Sequence, residues 1–515
     1  MTVRDVARVL SVSLDGVVGR MVEVEAHIAP GLPGLTLVGL GDTAVAQARD
    51  RVRAAVLTSR ESWPQSRITV NLHPASLPKR GSGFDLAIAA AILAAAGAVP
   101  AGPLAELVIL AELGLDGRVR PVPGVLPAVL AAVGSGHPVV VVAAASAAEA
   151  MLVPGAQVRP VRHLGELLSA LRGLTPWPDV DIASDDPAAQ DIGPTAPDLA
   201  DVIGQPLARR AVEVCAAGGH HLYMYGPPGV GKSLLAERLP GLLPPLTADD
   251  ALEVAAIRSL TGDLDPVQVR RRTPPFEAPH HTATVAAMVG GGSGVLRPGA
   301  VSRAHRGVLL LDEAPEFEPR VLDALREPLE NGCVTVARSG WSQTVPARVL
   351  LVLAANPCPC GVDGTPTSQC VCTPAQRRRY RSRLSGPLLD RVDVQVQVQP
   401  ISRAMLLAAS GDEQPECSEL VAARVAAARN RQRARLRPLG HSLNSQVPAA
   451  VLRRALPLDA AATRDLGRAV DRGLLSMRGV DRVLRVAWTL ADLAGIERPT
   501  ATQVREGLVL RRGTS

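Results

Sequence analysis

A glycine-rich segment, HLYMYGPPGVGKSLLAERL (221–239), carries residue types that bind phosphate groups. An apolar strand precedes the pattern Gly-x-x-x-x-Gly-Lys-Ser and a helix follows it, which is the context that a Walker A phosphate loop requires. Glycines let backbone N–H groups turn towards phosphate oxygens, and the helix N-terminus adds its positive dipole. The loop is predicted to bind ATP through Gly226, Pro227, Pro228, Gly229, Val230, Gly231, Lys232 and Ser233.

Lys232 is one of only two lysines in a chain that otherwise uses arginine as its basic residue, the other being Lys79. A compact ammonium group fits between the β- and γ-phosphates, where the broad guanidinium fork does not fill the same role. Ser233 is predicted to ligate Mg²⁺. A glycine-rich turn that arose by chance is the alternative, and the retained lysine argues against it.

Two further apolar strands end in polar residues suited to hydrolysis. RGVLLLDEAPEF (306–317) ends its apolar run at Asp312 and Glu313, and PARVLLVLAAN (346–356) ends at Asn356. Asp312 is predicted to contact Mg²⁺ through water, and Glu313 to orient the attacking water. The ends of neighbouring parallel strands meet at one edge of a sheet, so Asn356 is expected to hold that water near the γ-phosphate.

Two later arginines are candidates for contacts with the nucleotide. Arg391 ends the segment LSGPLLDRVD (384–393) and is predicted to reach the ATP of a neighbouring subunit, with Arg383 as its rival. Arg478 opens the C-terminal helix of LLSMRGVDRVLRVAWTLADLAG (474–495) and is predicted to be a lid arginine. A solvated surface charge is the alternative for each of them.

Four of the seven cysteines lie in one short loop directly after Asn356. Two close pairs can wrap one tetrahedral Zn²⁺, and four sulfur ligands would leave no open position for catalysis. The one-residue spacing within each pair is tighter than usual, so free thiols in a reducing cytoplasm and a redox-labile disulfide stay open as alternatives. The four are Cys358, Cys360, Cys370 and Cys372, whereas Cys215, Cys333 and Cys417 are predicted to be ordinary small apolar residues.

The elements that must position these groups divide the chain into several domains, as its 515 residues require. Short valine-rich strands and alanine-rich helices alternate first, with a strand and turn at 67–78, a buried helix at 84–97 and a buried strand at 137–145. A Pro/Asp/Ser-rich linker and a strand–loop–helix pattern follow. The predicted boundaries are 1–172 for the first domain, 173–197 for the linker, 198–400 for an ATPase core with a cysteine-rich loop at 358–372, and 401–515 for a helical lid.

The composition limits the compartment of the protein. The most apolar stretches, 86–100 and 138–151, are too short for a membrane helix, and the N-terminus lacks the apolar core of a signal peptide. An odd number of clustered cysteines does not suit a secreted disulfide framework. We expect a cytoplasmic protein.

These motifs, in this order, resemble the Mg-chelatase-like AAA+ ATPases of the ComM/YifB family. The resemblance implies an α/β fold with a Lon/S5-like α+β N-terminal domain, a three-layer αβα P-loop core with a helix-2 insert, and a helical lid. It also implies that Ile203 and Gly204 line the adenine pocket and that the insert at 280–305 faces the pore of a ring. The carrying segments lie at 201–233, 278–317, 325–339, 356–361 and 379–393.

The same resemblance implies a homo-oligomer, expected to be a hexamer, that hydrolyses ATP with Mg²⁺. Members of the family resemble DNA motors, so branched or single-stranded DNA is the expected partner, in recombination or DNA uptake. A Mg-chelatase-type motor and a protein-remodelling ATPase without a nucleic acid are the alternatives. The Asp-x-Ser-x-Ser metal motif expected of a chelatase partner is missing from this chain.

The N-terminal domain resembles Lon proteases at 31–55, 70–89 and 112–125. Lon proteases use a serine–lysine dyad in which the lysine is the base. The dyad lysine is expected near Leu126–Ala128, where this chain has none, and Ser82 is expected to be a turn hydroxyl with no base nearby. The domain is therefore predicted to be a non-proteolytic scaffold or DNA platform.

DNA contacts have two candidate sources. LVAARVAAARNRQRARLR (420–437) is a predicted helix that either tracks phosphates or is a solvated face. The insert segment MVGGGSGVLRPG (288–299) is the other, with Arg297 and Arg303 expected to be available. Aromatic residues make up only 2% of the chain, which leaves little for base stacking. The arginines of the helix are Arg424, Arg429, Arg431, Arg433, Arg435 and Arg437.

Overall fold

The computed structural model describes residues 6–39, 41–179, 197–292, 296–338, 341–363, 370–401 and 415–512. Most of the expected linker, residues 180–196, and the middle of the cysteine loop, residues 364–369, therefore lie outside the described residues.

The N-terminal region is built around a mixed seven-stranded sheet with the strand order β3-β4-β2-β1-β5-β8-β9. Pairing is antiparallel between β1 and β2 and between β2 and β4, and parallel elsewhere in the sheet. Its strands are β1 (Ala7–Asp15), β2 (Val18–Ala29), β3 (Gly34–Val38), β4 (Arg67–His73), β5 (Val108–Leu110), β8 (Val139–Ala143) and β9 (Gln157–Val161), and β6 (Glu112–Leu113) and β7 (Val119–Arg120) pair separately.

Five helices cover this sheet: α1 (Thr43–Thr58), α2 (Asp85–Ala95), α3 (Val125–Gly134), α4 (Ala147–Ala150) and α5 (Leu164–Leu171). Every residue of α2 is buried, which confirms the predicted buried helix. The predicted strands at 67–78 and 137–145 are β4 and β8. Alanine-rich helices pack closely because their side chains add little bulk between backbone and sheet.

A second sheet of five parallel strands follows, with the order β11-β14-β17-β10-β18. Strands β14 and β17 are buried along their whole length, as their continuous apolar runs predict. Its strands are β10 (Leu222–Tyr225), β11 (Phe276–Glu277), β14 (Val308–Leu311), β17 (Leu350–Ala355) and β18 (Val394–Gln397).

The helices around the second sheet are α6 (Pro206–Gly218), α7 (Lys232–Leu242), α8 (Ala248–Ser259), α9 (Pro266–Arg271), α12 (Pro319–Ala324), α13 (Arg326–Asn331), α14 (Pro374–Arg381) and α15 (Gly386–Leu389). An inserted segment between β11 and β14 contains α10 (Val285–Val289), the paired strands β12 (Gly290–Gly291) and β13 (Arg297–Pro298), and α11 (Ala300–Arg303). A separate hairpin consists of β15 (Cys333–Arg338) and β16 (Trp341–Pro346).

The C-terminal region is helical, with α16 (Ser418–Leu436), α17 (Ala449–Ala455), α18 (Ala460–Asp471), α19 (Met477–Ala494) and α20 (Ala501–Arg512). A buried hydrogen-bond chain joins it to the second sheet: His220 contacts Asp393 at 3.1 Å and Thr489 at 2.7 Å. Arg482 closes the chain by donating to Asp393 at 2.8 Å. The helical region is therefore fixed to the amino end of β18 through polar as well as apolar contacts.

The N-terminal region contacts the hairpin strand β16 and the helix α8, which lie beside the second sheet. The side chain of Gln343 donates to Asp15 at 2.6 Å, and the Glu149 carboxylate accepts the backbone N–H of Leu126 at 2.9 Å and the hydroxyl of Ser259. In the described part of the chain, no helix combines the length and the apolar character needed to cross a membrane.

Candidate nucleotide-binding site

The phosphate loop joins the carboxyl end of β10 to the first turn of α7, as its sequence predicts. Only glycine fits at Gly226, because a Cβ atom there would lie 2.1 Å from the carbonyl oxygen of Val398. Gly229 and Gly231 adopt left-handed backbone angles with φ of +75° and +91°. These turns direct the loop around the N-terminus of α7, where N–H groups without helical partners can receive an anion.

Lys232 is held at the centre of this loop, with 7% of its surface exposed. Its ammonium group donates to the carbonyl oxygens of Gly226 at 2.8 Å and Pro227 at 2.7 Å, and to Asn356 Oδ1 at 3.1 Å. Burial lowers the pKa of Lys232, and the nearby Asp312 carboxylate offsets part of that shift. The contact with Asn356 joins two of the residues that the sequence predicted to meet.

The acidic pair lies beside the same loop. Ser233 donates its hydroxyl to Asp312 Oδ2 at 2.6 Å, so a hydroxyl and a carboxylate meet as Mg²⁺ coordination requires. Glu313 has a left-handed backbone with φ of 50°, and 51% of its side chain is exposed. A non-glycine residue in this conformation stores strain that is typical of functional sites. The carboxylate of Glu313 is thus free to approach a water molecule.

His281 is a site residue that the sequence reasoning missed. Its Nδ1 lies 3.5 Å from a carboxylate oxygen of Glu313, and its ring packs against that of His280 with 4.1 Å between centroids. The pair of histidines in APHHT, directly after a short strand, was the only available signal. The segment that leads into the insert therefore touches the proposed catalytic carboxylate.

Ile203 and Gly204, which the family resemblance assigns to the adenine pocket, lie in the loop directly before α6. Their neighbour Gln205 reaches the phosphate loop, since its amide group donates to the carbonyl of Val230 at 3.4 Å and to that of Gln399 at 2.5 Å. Ile203 keeps 36% of its surface exposed. The segment is therefore fixed next to the phosphate loop with an apolar side chain available to a ligand.

Arg391 and Arg478 lie together at the opposite, amino edge of the second sheet. Arg391 lies three residues before β18, bonds to Glu330 and donates to the carbonyl of Pro387 at 2.6 Å. Arg478 lies 4.0 Å from Asp390, and 80% of its side chain is exposed. Because β10 and β18 run parallel, this edge is a full strand length away from Lys232. Neither arginine can reach the phosphate loop of its own chain without a large movement.

Arg383, the rival of Arg391, lies on the other edge. It donates to the carbonyl of Pro315 and to the carboxylate of Glu316, both at 3.0 Å, just beyond the acidic pair. Its guanidinium group is already paired within its own chain. Arg391 is paired in the same way, with Glu330, so the two arginines differ in the sheet edge at which they lie and not in their pairing.

The four clustered cysteines meet in space, with all four Sγ atoms within 4.8 Å of one another. Cys358 Sγ lies 3.2 Å from Cys360 Sγ and 3.7 Å from Cys370 Sγ, and all seven cysteines of the chain are free thiols. A tetrahedron with zinc–sulfur bonds of about 2.3 Å has edges of about 3.8 Å. The donor set and its spacing therefore fit one tetrahedral metal ion, with Cys372 as the fourth ligand.

The cysteine loop packs against the phosphate loop. A Cβ atom on Gly361 would lie 3.0 Å from Pro228 Cδ, so the two loops touch directly. On its other side, Asp363 accepts a 2.6 Å hydrogen bond from Arg377 in α14. The loop thus connects the nucleotide site with the helix that leads to Arg391.

The N-terminal region departs from one expectation. The hydroxyl of Ser82 bonds to the carboxylate of Glu112, so the expectation that no base lies near Ser82 is wrong. The two residues are 30 positions apart in the sequence, and they meet because the turn that contains Ser82 lies next to β6, which begins at Glu112. Lys79 is fully buried and donates to the carbonyl of Pro74, not to Ser82. A serine–lysine dyad is therefore missing from the described residues.

The predicted helix at 420–437 is α16, but most of its arginines bind their own chain. Arg424 pairs with Glu213 and Glu416, each at 2.7 Å, and Arg435 pairs with Asp492 at 2.5 Å. Arg429 and Arg431 donate to the backbone carbonyls of Ala216 and Asp492. These four side chains hold the helix on the core.

In the insert, Arg303 pairs with Glu277 at 3.1 Å, so the expectation that it is available to DNA is wrong. Arg297 is exposed on β13.

Three protein-family models match this chain, and together they cover most of its length. The model of the magnesium chelatase ChlI subunit covers residues 198–406, a second ChlI model covers 24–146, and a model of the ChlI C-terminal region covers 415–511. The first of these spans the phosphate loop, the acidic pair and the cysteine cluster.

Relatives of similar length share much of the sequence. An uncharacterized protein of Mycobacterium tuberculosis is 52% identical over 505 residues, covering 98% of each chain. YifB of Escherichia coli is 42% identical over 96% of this chain and 95% of its own. The competence protein ComM of Haemophilus influenzae is 41% identical over 96% of this chain and 95% of its own. The chain belongs to the Mg-chelatase-like family of YifB and ComM, whose AAA+ core implies an ATPase.

Proposed function

We propose that this protein is an ATP-hydrolysing AAA+ motor that moves branched or single-stranded DNA. One observation supports the ATPase activity. At one edge of a parallel sheet, Lys232 lies within hydrogen-bond distance of Asn356, and Ser233 lies within hydrogen-bond distance of Asp312. These four residues come from three separate segments of the sequence, and each has a chemical type that phosphoryl transfer needs.

In the proposed mechanism, the triphosphate takes over the hydrogen bonds that Lys232 makes to the carbonyls of its own loop. Ser233 and Asp312 would hold Mg²⁺, which would supply positive charge against the phosphate groups. Asn356 positions the attacking water, and Glu313 accepts its proton. The solvent exposure of Glu313 supports this role, because a water molecule can lie between its carboxylate and the γ-phosphate.

We propose that the protein works as a ring, expected to be a hexamer. Arg391 and Arg478 lie at the sheet edge away from Lys232 of the same chain, which supports contact with the nucleotide of a neighbouring copy. In a head-to-tail arrangement, each subunit contributes one face and receives the other, and the assembly is a ring when the rotation between neighbours closes. The division at 172, 197 and 400 and the Lon-like fold of the first domain are parts of the same proposal.

Two observations support a DNA substrate: one relative is named a competence protein, and the net charge is +6. Since four arginines of α16 bind their own chain, the insert between β11 and β14, with the exposed Arg297, is the better candidate for the contact. The structural role proposed for Zn²⁺ is to fix the cysteine loop between the phosphate loop and α14. For the N-terminal region, we propose a scaffold without protease activity.

A four-way junction with one labelled strand tests the DNA motor. We expect the wild-type protein with Mg²⁺ and ATP to separate the junction into duplexes, and Glu313→Gln to bind it without separating it. Arg297→Gln should reduce the rate of separation, whereas Arg464→Gln, at an exposed position of α18 outside both candidate DNA-binding segments, should not. Junctions that stay intact while ATP is consumed would favour a protein-remodelling ATPase.

A further inference from the structure

A cavity of about 760 Å³ opens at the amino edge of the second sheet, away from the phosphate loop. The residues that precede β10, β14 and β17 form its floor, namely His221, Gly307 and Val349. Helices α16 and α19 form one wall. The volume lies within the range of about 300–1,000 Å³ that is usual for small-molecule sites.

Positive charge dominates the wall of this cavity, since seven arginines line it against three carboxylates. Each of the three carboxylates already has an arginine partner. Asp250 lies 2.9 Å from Arg306, and Asp393 lies 2.8 Å from Arg482. Glu330 bonds to Arg391. These three pairs neutralise one another and leave the charge of the remaining arginines uncompensated.

The remaining four are Arg348, Arg429, Arg433 and Arg485. Among the residues that the structure describes, none of these four has a carboxylate within ion-pair distance. Arg429 donates twice to the carbonyl oxygen of Ala216, at 2.9 and 2.7 Å, and Arg485 donates to that of Val447 at 2.9 Å. A carbonyl oxygen satisfies a donor but does not neutralise a positive charge.

Burial lowers the pKa of Arg429 to about 10, and it also lowers the pKa of Arg485. Both charges are therefore held where water solvates them poorly, and an anion would stabilise them. Arginines spread over an open surface would simply be hydrated, but these four converge on one concave space from two helices and from the loop between β16 and β17. Guanidinium groups bind phosphate oxygens through paired N–H donors.

We propose that this cavity is a second anion site, which takes a polyphosphate through Arg348, Arg429, Arg433 and Arg485. The polyphosphate is either free in solution or the triphosphate of a nucleotide on a neighbouring subunit. The second source rests on the ring proposed above, whereas the first does not.

The test uses inorganic tripolyphosphate as the probe and calorimetry as the measurement. Lys232→Ala in the full-length protein weakens the phosphate loop, so that binding reports on the cavity. Arg348→Gln with Arg433→Gln removes two charges whose side chains are exposed, which leaves folding intact. Arg464→Gln, at an exposed position of α18 and outside the cavity, is the matched control.

If the site takes free polyphosphate, the Lys232→Ala protein should bind the probe. Adding the double substitution should weaken that binding at least tenfold, and adding the control substitution should leave it unchanged. A neighbour's triphosphate predicts no binding to the Lys232→Ala protein. In that case the double variant in the wild-type background lowers the ATPase rate at least tenfold and the control leaves it unchanged. If the double variant changes neither property, the proposal is overturned. If the protein has no ATPase activity, the binding measurement still tests the cavity. Failure of the proposed motor is therefore distinguishable from failure of this anion site.

Discussion

His281 and Glu313 meet at the mouth of the nucleotide site, 3.5 Å apart, although 32 positions separate them in the sequence. We infer that this contact restrains the Glu313 carboxylate on the side of the insert and slows its approach to a lytic water. His281 therefore has the geometry of a positioning residue that links the insert to hydrolysis.

The prediction at this scale is that His281→Ala raises the basal ATPase rate and reduces its further stimulation by DNA. A partly exposed pair is worth about 0.2–1 kcal/mol, so we expect a change of about two- to fivefold. His280→Ala is the matched control, because His280 contacts Thr282 at 2.9 Å and not Glu313. Steady-state rates with and without a four-way junction measure both effects. Equal behaviour of the two variants would contradict the role given to His281.

Sequence patterns identify residues whose roles depend on close neighbours in the chain. The phosphate loop is continuous, and Asp312 and Asn356 each follow an apolar strand, so their meeting could be predicted from parallel pairing alone. His281, Gln205 and Glu112 were missed because their partners lie far away in the sequence. Arginine is so frequent that composition cannot tell a paired Arg303 from an exposed Arg297; only the position of Glu277 decides it.

At the scale of elements, the cysteine loop lies between the phosphate loop and α14. We expect the purified protein to hold about one zinc ion per chain, because four thiolates match its tetrahedral preference. Cys358→Ser should lose that metal and raise the KM for ATP, since Gly361 packs on Pro228. Cys417→Ser, outside the cluster, should keep both properties.

Elemental analysis of each variant, together with ATP titration, measures the effect. A wild-type protein prepared without reductant that contains a Cys358–Cys360 disulfide and no metal would contradict the zinc assignment.

The attachment of the helical region to β18 depends on Asp393. Burial alone would raise the pKa of its carboxyl group, but Arg482 and His220 hold that pKa well below its usual range. The folded protein therefore binds this proton less tightly than the unfolded chain does. The resulting stability is present at neutral pH and is lost progressively as the pH falls below 3.8.

Asp393→Asn is predicted to lower the free energy of unfolding by about 3 kcal/mol at pH 7, because it leaves Arg482 without its buried counter-charge. The difference from the wild type should shrink at pH 3. Asp390→Asn is the control and should cost less than about 1 kcal/mol, since Asp390 makes an exposed contact with Arg478. Urea unfolding at both pH values measures this, and a difference that grows on acidification would contradict the sign.

At the scale of the whole molecule, the two edges of the second sheet hold the two halves of the proposed composite site. The carboxyl edge holds Lys232 and Glu313, and the amino edge holds Arg391 and Arg478. The order of the domains could be predicted from the family resemblance, but the position of Arg478 beside Asp390 could not, because it depends on where α19 packs. The arginine cavity has the same origin, since its residues come from positions as far apart as 348 and 485.

If the proposed ring is correct, two inactive variants should complement each other. Lys232→Ala lacks a working phosphate loop, and Arg391→Ala cannot serve its neighbour. In rings formed from an equal mixture, about one quarter of the interfaces join an intact loop to an intact arginine when assembly is random and head-to-tail. We expect the mixture to recover about that fraction of the wild-type ATPase rate, while a mixture as inactive as its components would place Arg391 outside the active interface.

The most direct test of the central claim is the ATPase rate of the wild-type protein and of Glu313→Gln, each with and without a synthetic four-way DNA junction. The proposed motor predicts hydrolysis that the junction stimulates strongly and that Glu313→Gln abolishes. Robust hydrolysis by the wild type that is indifferent to every DNA structure would contradict the DNA motor, and hydrolysis retained by Glu313→Gln would contradict the site itself.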